Sequence, residues 1–265
     1  MPSRNTVNTD FFQCVRGSGR LKQNCLLTLE EPLVIRVKGD ADYTIMRTPG
    51  NDRELAVGFL LSEGMIKTVD DIEMLMECQD TPNLIEIKIS EGKIVSTSRR
   101  NMIINTSCGL CGKEDISILI KELKPLAGGI ELEENVIYDV PEKVLQKQEL
   151  FHATGATHAA ALFDITGRIG VVREDIGRHN ALDKVIGNAA LNRASIREHG
   201  VFLSGRISLE MILKAYRVGI SILAAVSAPT GTAVDVAKQI GITLCGFVRG
   251  GKMSIYSHEE RIRES

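Results

Sequence analysis

The chain contains no tryptophan and only four tyrosines and seven phenylalanines among its 265 residues. That scarcity argues against the aromatic stacking platforms on which single-stranded nucleic acids are bound. Charge of one sign is also missing: 32 basic side chains balance 34 acidic ones, for a formal net charge of −2. No broad basic surface follows from such a composition, so a nucleic-acid partner is not expected. No apolar run is long enough to span a bilayer, which leaves no membrane segment to expect. The opening Met1-Pro2-Ser3-Arg4-Asn5 is polar and has no apolar stretch of the secretory kind. A cytoplasmic location is therefore expected, where thiols stay reduced. Hydrophobic residues at 43% and charged residues at 25% are ordinary for a globular chain. A chain of this size buries a sizeable core without disulfide staples.

Against this plain background one feature stands out, the pair Cys108-Gly109-Leu110-Cys111-Gly112, preceded by Asn105-Thr106-Ser107 and followed by Lys113. The glycines allow sharp turns and leave the sulfurs uncovered. Ile116, Leu119, Ile120 and Leu123 then recur at helical spacing, so the thiols are expected on a loop just before a helix. A helix N-terminus and a nearby cation both favour the thiolate. A structural zinc site wants four ligands, usually two such pairs, and only one pair is present. Two subunits sharing one zinc is the remaining metal reading, and no metal is expected within the chain. By spacing alone, sulfur transfer and thiol–disulfide exchange fit equally. The other cysteines, Cys14, Cys25, Cys78 and Cys245, are scattered. Cys245, inside an apolar run, reads as a core residue.

Residues 1 to about 30 read as a partly ordered lead-in. Pro32 to Lys38 and Tyr43 to Thr48 alternate as strands around Gly39-Asp40. Asn51 and Glu54 have capping-box spacing ahead of Leu55, Phe59 and Leu60, and Gly64 ends that helix. Asn83 to Ser90 and Lys93 to Thr97 read as a hairpin around Glu91-Gly92. Further on, a helix is expected over Glu142 to His152, then a hairpin of Thr157–Phe163 and Arg168–Arg173, then helices and strands in alternation to Ile242–Val248. The last of those helices is expected to start at Thr232. Alternation implies parallel strands with helical crossovers. The reading is α/β, with a small α+β domain over 1–125 ending in the cysteine loop and a three-layer, cytidine deaminase-like domain with a mixed sheet over 126–265. Zinc deaminases need His-x-Glu and Pro-Cys-x-x-Cys. Here the matching positions are His179-Asn180-Ala181 and Ser204-Gly205-Arg206-Ile207-Ser208, so zinc hydrolysis is not expected.

Two polar segments remain. Arg173-Glu174-Asp175-Ile176-Gly177-Arg178-His179-Asn180 joins a strand to a helix. Helix capping and surface ion pairs account for Asp175 or Asn180, but the density at Arg178 and His179 favours a polar binding site. Phe247-Val248-Arg249-Gly250-Gly251-Lys252 follows the last strand, and its glycine amides with Arg249 and Lys252 suit a phosphate-bearing ligand. On the residues alone, a plain hairpin turn before Met253 to Tyr256 is the stronger reading of this segment. Ser227 to Thr232 also lies where an anion can bind, though without a P-loop's glycines. His152 and His158 each read as structural.

Arg47-Thr48-Pro49-Gly50, Glu54-Leu55-Ala56-Val57-Gly58-Phe59-Leu60, Cys108-x-x-Cys111, Glu174-Asp175-Ile176-Gly177-Arg178-His179-Asn180-Ala181 and Ser204-Gly205-Arg206, in that order, resemble the formate dehydrogenase accessory sulfurtransferase family, FdhD/NarQ. The likeness runs from about Glu31 to Tyr256. It implies a sulfur carrier that accepts a persulfide sulfur from a cysteine desulfurase. The sulfur would pass to the molybdenum cofactor, Mo-bis-molybdopterin guanine dinucleotide, to activate formate dehydrogenase. The family's persulfide position matches Cys108, with Cys111 as its partner. Its cofactor-binding stretch matches Phe247 to Lys252, with Arg178 and His179 as further candidates. A homodimer, a cytoplasmic location and the deaminase-like scaffold are also implied. A thiol–disulfide oxidoreductase and a non-catalytic cofactor-binding chaperone are the rival readings.

Overall fold

The computed structural model describes residues 5–78, 80–93 and 123–264. Cys108 and Cys111, the helix expected after them and the expected strand at 94–97 lie outside the described residues.

The first 24 described residues form a regular β-ribbon rather than a loose lead-in. Strands β1 (Thr6–Val15) and β2 (Gly19–Thr28) pair antiparallel along their whole length, from Thr6 opposite Thr28 to Val15 opposite Gly19. β1 carries β-branched and aromatic residues (Val7, Thr9, Phe11, Phe12, Val15), but β2 has none before Thr28, so local pattern marks only half of the ribbon.

A four-stranded sheet follows, in the order β4-β3-β6-β5. β3 (Glu31–Val37) and β4 (Asp42–Arg47) form the expected hairpin. β6 (Leu84–Ile89) pairs parallel with β3 and antiparallel with β5 (Ile72–Glu77). Among the described residues β6 is thus flanked by β3 and β5. The run Ile72-Glu73-Met74-Leu75-Met76-Glu77 lacks the β-branched alternation that marks a strand, and tertiary pairing imposes it.

The second sheet has six strands in the order β13-β12-β11-β10-β8-β9. β8 (His158–Phe163) and β9 (Ile169–Asp175) are the expected hairpin. β10 (Gly200–Leu203), β11 (Ile222–Ala225) and β12 (Thr243–Arg249) run parallel, and β13 (Lys252–Ser257) returns antiparallel along the edge. The two-residue strands β7 (Leu132–Glu133) and β14 (Ile262–Arg263) pair with each other. The central strands are continuous apolar runs because both faces are covered. On one face Ala159, Ala161, Phe163, Phe202, Ala224 and Cys245 meet Ile137, Val140 and Val144 of α2 (Glu134–Leu145). On the other, Ala160, Leu162, Val201, Leu203, Leu223 and Leu244 meet α4 (Arg178–Leu191), α5 (Leu209–Val218) and α6 (Gly231–Ile240).

The helix expected over Glu142 to His152 is two helices. α2 starts earlier and holds Pro141 inside it, and α3 (Glu149–Thr154) follows a break at Lys147. Proline at a helix start is the commoner arrangement, and here the apolar anchors Ile137 and Val140 extend the helix ahead of it. The start of α6 also lies upstream of the expected Thr232: Thr230 caps it, its hydroxyl accepting from the Ala233 amide at 3.3 Å.

Helix α1 (Asp52–Ser62) is buried from Leu55 through Ser62, so it lies inside the molecule between the four-stranded sheet and α4. Glycines bring α1 and α4 together. A Cβ on Gly58 would stand 1.8 Å from the Asp183 carbonyl oxygen, and one on Gly187 1.8 Å from that of Glu54. No capping box starts α1: Asn51 is left-handed (φ 57°) and makes no side-chain cap, while Glu54 turns to Arg173 and Asn188.

Candidate functional site

Arg173–Asn180 divides between the interior and the surface. The inward half is fully engaged. Asp175 is wholly buried, pairs with Lys184 at 2.7 Å and accepts from the Thr48 amide and Asn180 Nδ2. Lys184, also buried, donates to the Thr48 carbonyl, and Asn180 Nδ2 donates to the Met46 carbonyl. Glu174 accepts from the Leu150 and Phe151 amides and the Thr157 hydroxyl. Arg173 donates to Glu54 at 2.8 Å. These residues lock Arg47-Thr48-Pro49-Gly50 against α4, so Asp175 and Asn180 are structural, as expected, but in the interior rather than on the surface. Arg47 itself is buried, held by Asp52 at 2.7 Å and Asn83 at 2.8 Å.

The outward half faces the carboxyl edge of the six-stranded sheet. β10, β11 and β12 all end at this edge; β8 begins and β9 ends there, because His158 pairs with Asp175. His158, Arg178, His179 and Arg206 therefore gather around the ends of β8, β9 and β10. Gly205 allows the approach, since a Cβ there would lie 3.3 Å from His158 Nδ1 and 3.7 Å from Arg178 Cδ. Burial, then the Arg178 guanidinium, hold the His158 imidazole below its usual pKa, with His179 and Arg206 adding to this and Asp175 opposing it. His158 is accordingly neutral at pH 7. His158 reads as structural from sequence; nothing in its local pattern marks the cluster, which only the pairing of β8 with β10 creates.

Two helix N-termini point here, α4 after Gly177 and α5 after Ser208, each presenting unpaired amides and a positive dipole end. Arg178 Nε, His179 Nε2 and Ser208 Oγ are shielded from solvent and have no hydrogen-bond partner among the described residues. His179 Nε2 stands 2.9 Å from Glu210 Oε2, off the line a hydrogen bond needs. Buried polar atoms without partners are costly, so their concentration at one place marks a site that receives polar groups from a ligand. The half-buried Arg178, the exposed Arg206 and two amide-rich helix ends give it an affinity for anions.

Phe247–Lys252 lies on the same edge, two strand spacings or about 10 Å from β10. Gly250 and Gly251, both with positive φ (59° and 66°), form the two-residue turn between β12 and β13. The plain hairpin reading of this segment therefore holds for its backbone. Arg249 stacks over the Phe247 ring at 5.9 Å, and Phe247 is exposed with φ 52°. Val248 is wholly buried in the core and offers a ligand no surface. The Ser204–Ser208 and Ser227–Thr230 loops bridge the gap: Ile207 pairs with Pro229, and the Thr230 amide donates to the Ile207 carbonyl at 2.9 Å.

Cys245 is core, as expected, with its thiol pushed up to about 12 by burial. His152 bonds the Leu145 carbonyl at 2.8 Å and ties α3 to α2. A cavity of about 460 Å³ opens elsewhere, between the base of the ribbon, Pro49–Asn51 and β9. Its Arg173, Glu174 and Lys184 are already paired, which distinguishes it from the cluster at the sheet edge. Among the described residues no three His, Cys, Asp or Glu side chains are grouped to hold a metal ion, and no helix is long and apolar enough to cross a membrane.

A solved structure with the same arrangement is described as that of a formate dehydrogenase accessory protein from Desulfotalea psychrophila. It superposes with a TM-score of 0.77 at 25% identity, over 98% of this chain and all of that one. Sulfur carrier protein FdhD of Sulfurisphaera tokodaii is 40% identical over 252 residues, covering 94% of this chain and 96% of its own. The protein of the same name from Nocardia farcinica is 41% identical over 257 residues, covering 93% and 91%. The model of the FdhD/NarQ family matches residues 28–263. Ribbon aside, the two sheets, the α1–α4 crossing and the cationic edge all fall within that match, and the chain belongs to the FdhD/NarQ family.

Proposed function

We propose that this chain is a sulfur carrier in formate dehydrogenase maturation, with Cys108 as the seat of the sulfur and the cationic sheet edge as the seat of the acceptor. The observation that carries the geometric half is the trio of buried atoms without a hydrogen-bond partner among the described residues, Arg178 Nε, Ser208 Oγ and His179 Nε2 (the last beside Glu210), between two helix N-termini. Phosphates of a guanine dinucleotide would satisfy these donors and the amides beside them. Arg249, Lys252 and the Gly250-Gly251 amides would meet the next part of so long a ligand. The substrate in this reading is Mo-bis-molybdopterin guanine dinucleotide.

The sulfur chemistry balances with the two cysteines alone. The Cys108 thiolate attacks the terminal sulfur of a cysteine desulfurase persulfide, releasing that enzyme's thiolate and leaving Cys108 with an S–SH group. The Cys111 thiolate then attacks the inner sulfur of Cys108. A Cys108–Cys111 disulfide forms, hydrosulfide leaves for the acceptor, and the dithiol supplies the two electrons that reduce the carried sulfur. Two external thiols, or one external dithiol, then reduce the disulfide and are themselves oxidised to a disulfide, which restores the pair. The sulfurtransferase activity, the desulfurase and formate dehydrogenase as partners, and a cytoplasmic setting belong to this proposal. So does the deaminase-like scaffold, which the order β9-β8-β10-β11-β12 with a leading antiparallel hairpin supports.

The test combines guanosine diphosphate binding with activation of apo-formate dehydrogenase. Cys108→Ala should keep nucleotide affinity and abolish activation. Retained activation by Cys108→Ala and Cys111→Ala alike would favour a chaperone. A stable intramolecular disulfide with no persulfide would favour thiol–disulfide exchange.

A further inference from the structure

The second residues of two helices face each other at the carboxyl edge of the six-stranded sheet. His179 of α4 and Glu210 of α5 approach to 2.9 Å, Nε2 to Oε2. The macrodipole favours an acidic side chain in a helix's first turn, and that alone accounts for a glutamate at this position. It does not account for the setting. His179 Nε2 is shielded from solvent, yet it makes no in-line hydrogen bond to the carboxylate beside it. Ser208 stands where a serine ordinarily caps a helix, yet it makes no side-chain cap on α5, and its Oγ is also buried without a hydrogen-bond partner among the described residues. A carboxylate therefore stands at the positive end of α5, beside donors that it does not satisfy. It also has a like charge behind it. Burial raises the Glu63 carboxyl, Lys214 and then Arg217 more than reverse this and hold it below its ordinary pKa, and Glu210 pushes the other way.

We infer that Glu210 is a built-in counter-anion: its carboxylate keeps the place of a phosphate beside His179, and a phosphate-bearing ligand enters by displacing it. The inference rests on the cationic edge being the seat of the acceptor. A ring nitrogen has one hydrogen-bonding direction, so a ligand oxygen that bonds His179 Nε2 must take the approach that Glu210 now crowds. The existing contact is out of line, so little hydrogen bonding is lost when it opens. The carboxylate has a way out, because its side chain is 34% exposed, while Glu63 opposes a retreat toward the interior. A phosphate gains what Glu210 cannot reach from its place in the helix: an in-line bond from His179, the Arg178 Nε donor and the Ser208 hydroxyl. Glu210 thus sets a threshold. It lowers the affinity of the edge for every anion and admits one strong enough to replace a carboxylate.

The test is titration calorimetry of guanosine diphosphate into the full wild-type chain, Glu210→Gln and Glu210→Ala. Both substitutions remove the competing charge and should tighten binding at least ~10-fold, a modest share of the repulsion between two charges about 6 Å apart at an effective dielectric near ~20. Glu210→Ala separates loss of the charge from any new bond made by the glutamine amide. A structure of the wild type with guanosine diphosphate bound should place the Glu210 carboxylate more than about 4 Å from His179 Nε2, beyond ion-pair reach. Unchanged or weaker binding by either variant overturns the inference, weaker binding being what a residue that merely steadies His179 would give. A complex in which Glu210 keeps its contact with His179 overturns it too. Binding by none of the three chains is a different failure: it overturns the reading of the edge as the acceptor's seat, and the inference with it.

Discussion

The α1–α4 crossing and the carboxyl edge of the six-stranded sheet are both dense in polar groups, and they differ in how those groups are satisfied. At the crossing, Lys214 holds Asp183 at 2.9 Å and Glu63 at 2.9 Å and donates to Ser62 Oγ, while Lys184 and Asp175 are matched nearby. At the edge, Arg178, His179 and Ser208 each keep a buried atom without a hydrogen-bond partner among the described residues. The two regions meet in one helix, α4, whose first turn serves the edge and whose body serves the crossing. Saturated polar groups hold the fold, and unsaturated ones wait for a ligand.

The largest effect expected from breaking this contrast lies at the crossing. Gly187→Leu would drive a side chain into the Glu54 backbone and should cost more than about 4 kcal/mol or prevent folding, read as soluble yield and urea denaturation. A loss under 1 kcal/mol would mean that the helices are not in contact there. Next is Asp175→Ala, which strands the buried Lys184 ammonium and should cost about 3–5 kcal/mol. Adding Lys184→Met should recover much of that loss, because no buried charge is then left unpaired.

The edge should behave in the opposite way. Arg178→Ala should change stability by less than about 1 kcal/mol, since a half-satisfied group is removed. It should weaken guanosine diphosphate binding at least ~10-fold by titration calorimetry. Unchanged affinity alongside a large loss of stability would reverse the assignment of the two regions. The smallest effect is at neither. In the β8–β9 turn, hydrogen bonds from the Thr166 hydroxyl first, then the Thr166 and Arg168 amides and the Arg168 side chain, hold the Asp164 carboxyl at about 2 against an ordinary 3.8. That stabilisation is complete above pH 3.8 and is lost as pH falls through 2. Asp164→Ala should therefore cost about 1–2 kcal/mol near neutrality, and the gap to the wild type should close between pH 4 and pH 2 in acid denaturation.

Local chemistry made much of the fold legible. The β8–β9 hairpin follows from Thr166-Gly167, the end of α6 from Gly241, and the alternation beyond Arg173 from buried apolar runs between glycines. What escaped depends on distant partners. β5 is a strand because β6 offers it an edge, and α2 runs through Pro141 because Ile137 and Val140 are claimed by the sheet. The ribbon escaped because its apolar residues face solvent and so look like an unstructured lead-in. In the site, Arg178 and His179 were readable as excess polarity in a short connection. His158, Arg206 and Ser208 were not, since 50 residues separate the first from the last and only the β8–β10 pairing and the Gly205 approach unite them.

Sulfur carriage through Cys108 is tested most directly by mass spectrometry of the peptide containing Cys108 and Cys111, after the full chain has been incubated with a cysteine desulfurase and free cysteine. A carrier gains one sulfur atom on Cys108, released by a reductant and absent from the Cys108→Ala chain. A peptide that gains no sulfur, or gains it equally on Cys14 and Cys25, would contradict a dedicated sulfur seat at position 108.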